Sequence, residues 1–135
     1  MRRSRRVRHS RGFTLIELMI VISMILILVS IAIPVYTQSI TRAKESVLRQ
    51  NLFTLRSLIS QYTLDKQKAP QSLDDLVSAG YIKQIPSDPM TGKPDWTADQ
   101  EDTTLMSPDQ QETGIDDVHS GSSQPSSDGT PYSSW

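Results

Sequence analysis

The sequence predicts an α+β fold: one long N-terminal helix carrying a short second helix and a small antiparallel β-sheet. Three observations predict it. Residues 13–33 form an almost wholly apolar run of 21 residues, in which Ser23 and Ser30 are the only polar side chains after Glu17. A helical apolar stripe continues beyond it through Tyr36, Ile40, Ala43, Val47, Leu55, Leu58 and Tyr62, widened by Leu48, Leu52 and Ile59. The last third breaks into short apolar runs between loops rich in Ser, Gly, Pro and Asp, the pattern of short strands.

The chain of 135 residues leaves about 100 for soluble structure once a leader and a membrane segment are set aside, so the core is expected to be small. Cysteine is absent, which excludes disulfide staples, thiol chemistry and cysteine zinc sites. The formal net charge of −1 conceals an asymmetry. Residues 1–12 hold six arginines and no acid, leaving eight basic against fifteen acidic residues in the remainder. A basic tract abutting an apolar helix follows the positive-inside rule, so it is read as the cytoplasmic flank of a membrane segment and not as a nucleic-acid contact.

The apolar run is about what a helix needs to cross the ~30 Å hydrocarbon core. Glu17 near its start is the exception: an ionisable group costs on the order of 2.5 to 3.5 kcal/mol at mid-membrane, less near the interface, and so needs a partner. Its simplest role is to sit favourably on the helix N-terminal dipole, worth about 0.3 to 1 kcal/mol. Pro34 lacks an amide hydrogen and clashes with the carbonyl four residues earlier. Because periodicity resumes at once, it is expected to bend or locally melt a continuing helix, not end it. That helix is expected to reach about Lys66, with Arg42, Lys44, Glu45, Arg49, Gln50, Arg56 and Lys66 on its polar face. Its length would be on the order of 80 Å at ~1.5 Å per residue.

Lys68-Ala69-Pro70 breaks the helix; Ser72, with Asp75 three residues on, caps a short second one that Gly80 ends. Strands are expected at 103–106, 114–118 and 131–135, with Trp96, Leu105, Ile115, Val118, Tyr132 and Trp135 packing the sheet. From Asp88 onward ten acids face a single base, Lys93, a surplus that repels itself unless solvated or bound to cations. Loops carrying Asp117 and Asp128 are therefore candidates for Ca²⁺, which takes six to eight oxygen ligands; a solvated acidic loop is the alternative. His119 has no cysteine partner, and no nucleophile elbow or phosphate-binding glycine loop appears, so nothing argues for an enzyme.

The segment Gly12-Phe13-Thr14-Leu15-Ile16-Glu17 resembles the class III signal of type IV pilins and type II secretion pseudopilins. The resemblance implies a pilin-like fold and a prepilin leader over 1–12, cut after Gly12 by prepilin peptidase, with N-methylation of the new amino terminus on Phe13. Glu17 matches the family glutamate and Pro34 the helix-kinking proline. Residues 13–34 become the membrane and assembly half of the helix, 35–68 its amphipathic half, and 69–135 the globular region. Cleavage creates an amine on Phe13, and Glu17 of a neighbouring subunit is expected to neutralise it.

Pro70-Gln71-Ser72-Leu73-Asp74-Asp75-Leu76, Gly80-Tyr81-Ile82 and Ile85-Pro86-Ser87-Asp88-Pro89 narrow the resemblance to the major pseudopilins of type II secretion. The missing cysteine pair agrees with this. After Gly92 the likeness weakens, Trp96 standing later than in those proteins. Implied partners are other copies in a homopolymer, minor pseudopilins, prepilin peptidase, the inner-membrane secretion assembly platform and the membrane itself, with no nucleic acid. The implied place is the bacterial inner membrane, leader inside and globular part periplasmic, then a periplasmic filament. Calcium in the C-terminal loops is implied as well. The alternatives are a type IV pilus or minor pilin subunit, or a periplasmic domain whose apolar run is either an uncut signal anchor or a signal cut after Ser30-Ile31-Ala32.

Overall fold

A computed structural model describes residues 12–101 and 114–135. Helix α1 spans Leu15–Lys66 and α2 Leu73–Ser78; strand β1 spans Thr97–Glu101 and β2 Gly114–His119; a single 3₁₀ turn covers Tyr132–Ser134. The chain divides into two compact units, 1–38 and 39–135.

In the first unit, helix α1 runs through Pro34 without ending. Every large apolar side chain from Phe13 to Val35 is exposed. The helix is long and apolar enough to cross a membrane. Its hydroxyls turn back on the backbone: Ser23 Oγ donates to Met19 O at 2.8 Å and Ser30 Oγ to Ile27 O at 2.7 Å. Neither presents a free polar group to an apolar surrounding.

In the second unit, α1 buries one face. Leu48, Leu52, Leu55, Ile59 and Tyr62 form a core with Leu76, Trp96, Ile115, Val118 and Tyr132. The spacing of the helical members is that of a 3.6-residue repeat, so the expected stripe is the packed face from Leu48 to Tyr62, whereas its earlier members Tyr36, Ile40, Ala43 and Val47 are exposed. Helix α1 ends at Lys66, and Gln67 turns the chain with φ of 57°, a left-handed conformation that favours glycine. Helix α2 begins where Asp75 Oδ2 accepts from the amides of Gln71 and Ser72 at 2.8 and 3.1 Å. It ends where Tyr81 N donates to Leu76 O and Gly80 N to Val77 O, with Gly80 at φ 83°. This is the double closure that glycine after a helix permits.

Strands β1 and β2 pair antiparallel, Thr97 opposite His119 and Asp99 opposite Asp117. The register then shifts, because Gln100 pairs with Ile115 and leaves Asp116 as an extra residue on β2. The bulge has a packing cause. Ile115 and Val118 stand three apart and would face opposite sides of a regular strand. One inserted residue resets the alternation, and both are buried while Asp116 is exposed. Ile115 N also donates to Pro70 O at 2.8 Å, and a side chain on Gly114 would run into Ala69.

Three further expectations change. The strand expected at 131–135 is instead a 3₁₀ turn, whose Tyr132 is buried and whose Trp135 packs edge-on against it at 5.2 Å. The strand β1 at Thr97–Glu101 was not legible from Thr-Ala-Asp-Gln-Glu, which has no apolar alternation; the partner strand creates it. Glu45 and Arg56, expected on the solvent face of α1, are drawn to the C-terminal segment: Glu45 is buried and Arg56 half-buried. The strand expected at 103–106 and the packing of Leu105 lie outside the described residues.

Candidate functional site

The residues singled out for processing stand at the start of α1. Gly12, Phe13 and Thr14 precede the helix in irregular backbone and are exposed, Phe13 at 87%. A peptidase needs an unfolded, reachable stretch of backbone, and the Gly12–Phe13 peptide is one; a side chain built at Gly12 would meet nothing.

Glu17 folds back on the helix end. Its Oε2 lies 3.4 Å from Thr14 N and 3.5 Å from Thr14 Oγ1, while Glu17 N donates to Thr14 Oγ1 at 3.3 Å. This is a capping box, long in its distances, and the signal for it is the Thr14-x-x-Glu17 spacing. In the single chain the carboxylate therefore supports two otherwise unpaired donors at an exposed helix end. Pro34 lies inside α1, twenty-one residues after the Gly12–Phe13 peptide, where it withholds one helical hydrogen bond.

Each of the two carboxylates considered for calcium lies against an arginine of α1. Asp117 Oδ1 accepts from Arg56 Nε at 2.5 Å, and Asp128 Oδ2 from Arg49 Nη2 at 3.3 Å. Among the described residues no group of three or more His, Cys, Asp or Glu side chains is arranged to hold a metal ion. As placed, Asp117 and Asp128 do not fit one shared Ca²⁺ site, because each spends lone pairs on a guanidinium.

Polar anchors that were not expected lie nearby. The Glu45 carboxylate, 6% exposed, accepts from Ser127 N at 2.7 Å, Ser127 Oγ at 2.6 Å and Tyr132 Oη at 2.9 Å. The Ser127 hydroxyl leads in holding its carboxyl below the usual carboxylate value, against the opposing effect of burial. Burial and the bond to Glu45 push the Tyr132 phenol up. For Asp117 burial pulls upward, but Arg56 and the Val118 amide outweigh it and leave the carboxyl below its usual value. Asp88 is wholly buried; it accepts from Met90 N at 2.7 Å and from the hydroxyl of Ser120, itself buried. Glu45 on a helix between Lys44 and Ser46 carries no mark that a tyrosine 87 residues away will reach it.

Comparison with known proteins places these residues beside a family model and several relatives. Residues 7–33 match the family model described as the prokaryotic N-terminal methylation motif. The type II secretion system core protein G of Klebsiella pneumoniae is 31% identical over 120 residues, an alignment covering 77% of this chain and 79% of that protein. Competence protein ComGC of Halalkalibacterium halodurans is 33% identical over 56% of this chain and 74% of its own. The type IV major fimbrial protein FimA of Dichelobacter nodosus is 44% identical, but over 45% of this chain and 38% of its own. No solved structure matches significantly.

Proposed function

The chain belongs to the type II secretion system core protein G family, the major pseudopilins, and from that premise we propose how its residues serve a polymerising subunit. The observation that carries the proposal is the first half of α1: an apolar surface exposed all round from residue 13 to 35. Each such side chain gains about 1.5 to 3 kcal/mol when removed from water. The segment is thus stable only in a bilayer or against like segments of other copies. A subunit stored in the inner membrane and moved into a periplasmic filament uses both environments in turn.

Prepilin peptidase removes residues 1–12 by cutting after Gly12, and Phe13 becomes the N-methylated terminus. The new amine lies beside the Thr14–Glu17 cap, which places a carboxylate at the entrance of an apolar segment. In the filament Glu17 exchanges its capping role for the Phe13 amine of a neighbouring copy, so a repeated ion pair sets the subunit register. Pro34 is the weak point at which the helix bends or locally melts as the apolar half enters the bundle. The minor pseudopilins and the inner-membrane assembly platform are the further partners.

Mass spectrometry of the mature protein tests processing. A chain beginning at N-methyl-Phe13 is expected; one beginning at Ile33, or retaining Met1, removes the proposal in favour of a signal-anchored domain. Glu17→Ala is expected to be cut normally yet to assemble poorly, and normal filaments from it would eliminate the ion pair. The short, more identical match to a fimbrial protein favours a second reading, a surface pilus subunit. Fractionation separates the two, because pseudopilus filaments at ordinary expression stay in the periplasm while pili are sheared from the cell surface.

A further inference from the structure

The acid surplus after residue 88 raises the question of what neutralises it. Asp99 and Asp117 stand directly opposite each other on β1 and β2, where like charges repel. Two nitrogen groups from different parts of the chain enter that position. The Arg56 guanidinium, from α1, donates through Nε to Asp117 Oδ1 at 2.5 Å and through Nη2 to Val118 O at 3.0 Å and Trp135 O at 2.9 Å. The His119 ring places Nε2 3.1 Å from Asp99 Oδ2 and 3.6 Å from Asp117 Oδ2, with Nδ1 2.5 Å from Trp135 O.

A carboxylate with two main-chain oxygens converging from separate segments is the kind of donor set a hard cation gathers. Here those oxygens already face N–H groups. The planar fork of arginine suits this better than a point charge, since it reaches a carboxylate and carbonyls in one plane. Asp128, the other carboxylate considered for calcium, is paired with Arg49, whose guanidinium also lies 4.4 Å from the centre of the Trp135 ring.

We infer that Arg56, helped by His119, is a built-in cation that closes the C-terminal segment onto α1 in place of a divalent ion, so that this chain folds without calcium. The clasp joins α1, β2 and the chain near Trp135 in one hydrogen-bonded unit. Its strength then depends on a side chain carried by the protein, not on the calcium concentration of the compartment.

The test is thermal unfolding of the full chain in detergent micelles, followed by tryptophan fluorescence, with millimolar CaCl₂ or with EDTA. The unsubstituted protein is expected to melt at the same temperature in both; a rise of several degrees with CaCl₂ overturns the inference. In EDTA, Arg56→Met keeps the apolar stem without the charge and is expected to melt several degrees lower. Arg56→Lys, which keeps the charge without the fork, is expected between the two. An Arg56→Met protein that melts like the parent, or an Arg56→Lys protein no more stable than Arg56→Met, also overturns it. Should Arg56→Met fail to fold, the calcium comparison on the unsubstituted chain still decides.

Discussion

The two stretches of α1 are built from the same helical backbone and held by different means. Before residue 38 its large apolar side chains are exposed and its hydroxyls bond back to its own carbonyls. From Leu48 to Tyr62 the apolar face is covered by the chain itself, and Glu45, Arg49 and Arg56 bind residues 61 to 87 positions later. The difference teaches where each stretch finds its stability. The later one closes its own core, whereas the earlier one leaves its apolar surface to a membrane or to other copies. One continuous helix can thus serve two environments, because its side-chain pattern changes from apolar all round to amphipathic along its length.

Breaking either stretch should leave the other intact. Leu55→Ala removes a side chain with no exposed surface and is expected to cost about 2 to 5 kcal/mol, read as a lowered melting temperature. Membrane association of that variant should not change, which flotation with vesicles will show. Ile25→Arg puts a charge in the middle of the apolar run, at about 2.5 to 3.5 kcal/mol of insertion cost. It is expected to weaken membrane retention and filament formation, while the tryptophan-monitored unfolding of the second unit stays as in the parent. A melting shift with Ile25→Arg would mean that the two stretches are energetically coupled.

Smaller effects sharpen the comparison inside the second unit. Glu45→Ala leaves the Tyr132 hydroxyl and Ser127 amide without their acceptor and is expected to cost about 1 to 3 kcal/mol. The pH dependence of melting follows from the same groups. Glu45 and Asp117 have carboxyls held below their usual 4.5 and 3.8, so the folded state favours their charged forms. Their contribution is present above those values and is lost as pH falls through the depressed ones. At the alkaline end the Tyr132 and Tyr81 phenols are raised above 10.0: burial leads for Tyr132 and the bond to Asp65 for Tyr81. Their contribution is full below pH 10.0 and lost as pH rises through the raised values. Melting measured against pH should therefore fall at both ends, and Glu45→Gln should shallow the acid limb.

Much of this was legible before any coordinates. The apolar run, the stripe from Leu48 to Tyr62, the cap at Ser72 with Asp75 and the stop at Gly80 all depend on residues within one or two turns of each other. Periodicity and capping are local properties, and the Gly12 to Glu17 segment is equally local. The lateral contacts were not legible. Thr97–Glu101 has no strand pattern of its own, and the bulge at Asp116 exists because Ile115 and Val118 must both reach the core. Glu45 and Arg56 read as solvent-facing because their acceptors and donors lie far along the chain.

The sequence by itself thus determined the long helix, its change from uniformly apolar to amphipathic, the processing segment and the family to which these point. Only the tertiary structure decided which charges are partnered. It set Asp117 against Arg56 and Asp128 against Arg49, and it turned the expected terminal strand into a 3₁₀ turn whose Tyr132 reaches Glu45. The physical reason is range: backbone periodicity is set by neighbours within four residues, while the partner of a buried charge is set by whichever distant group the fold brings within about 3 Å.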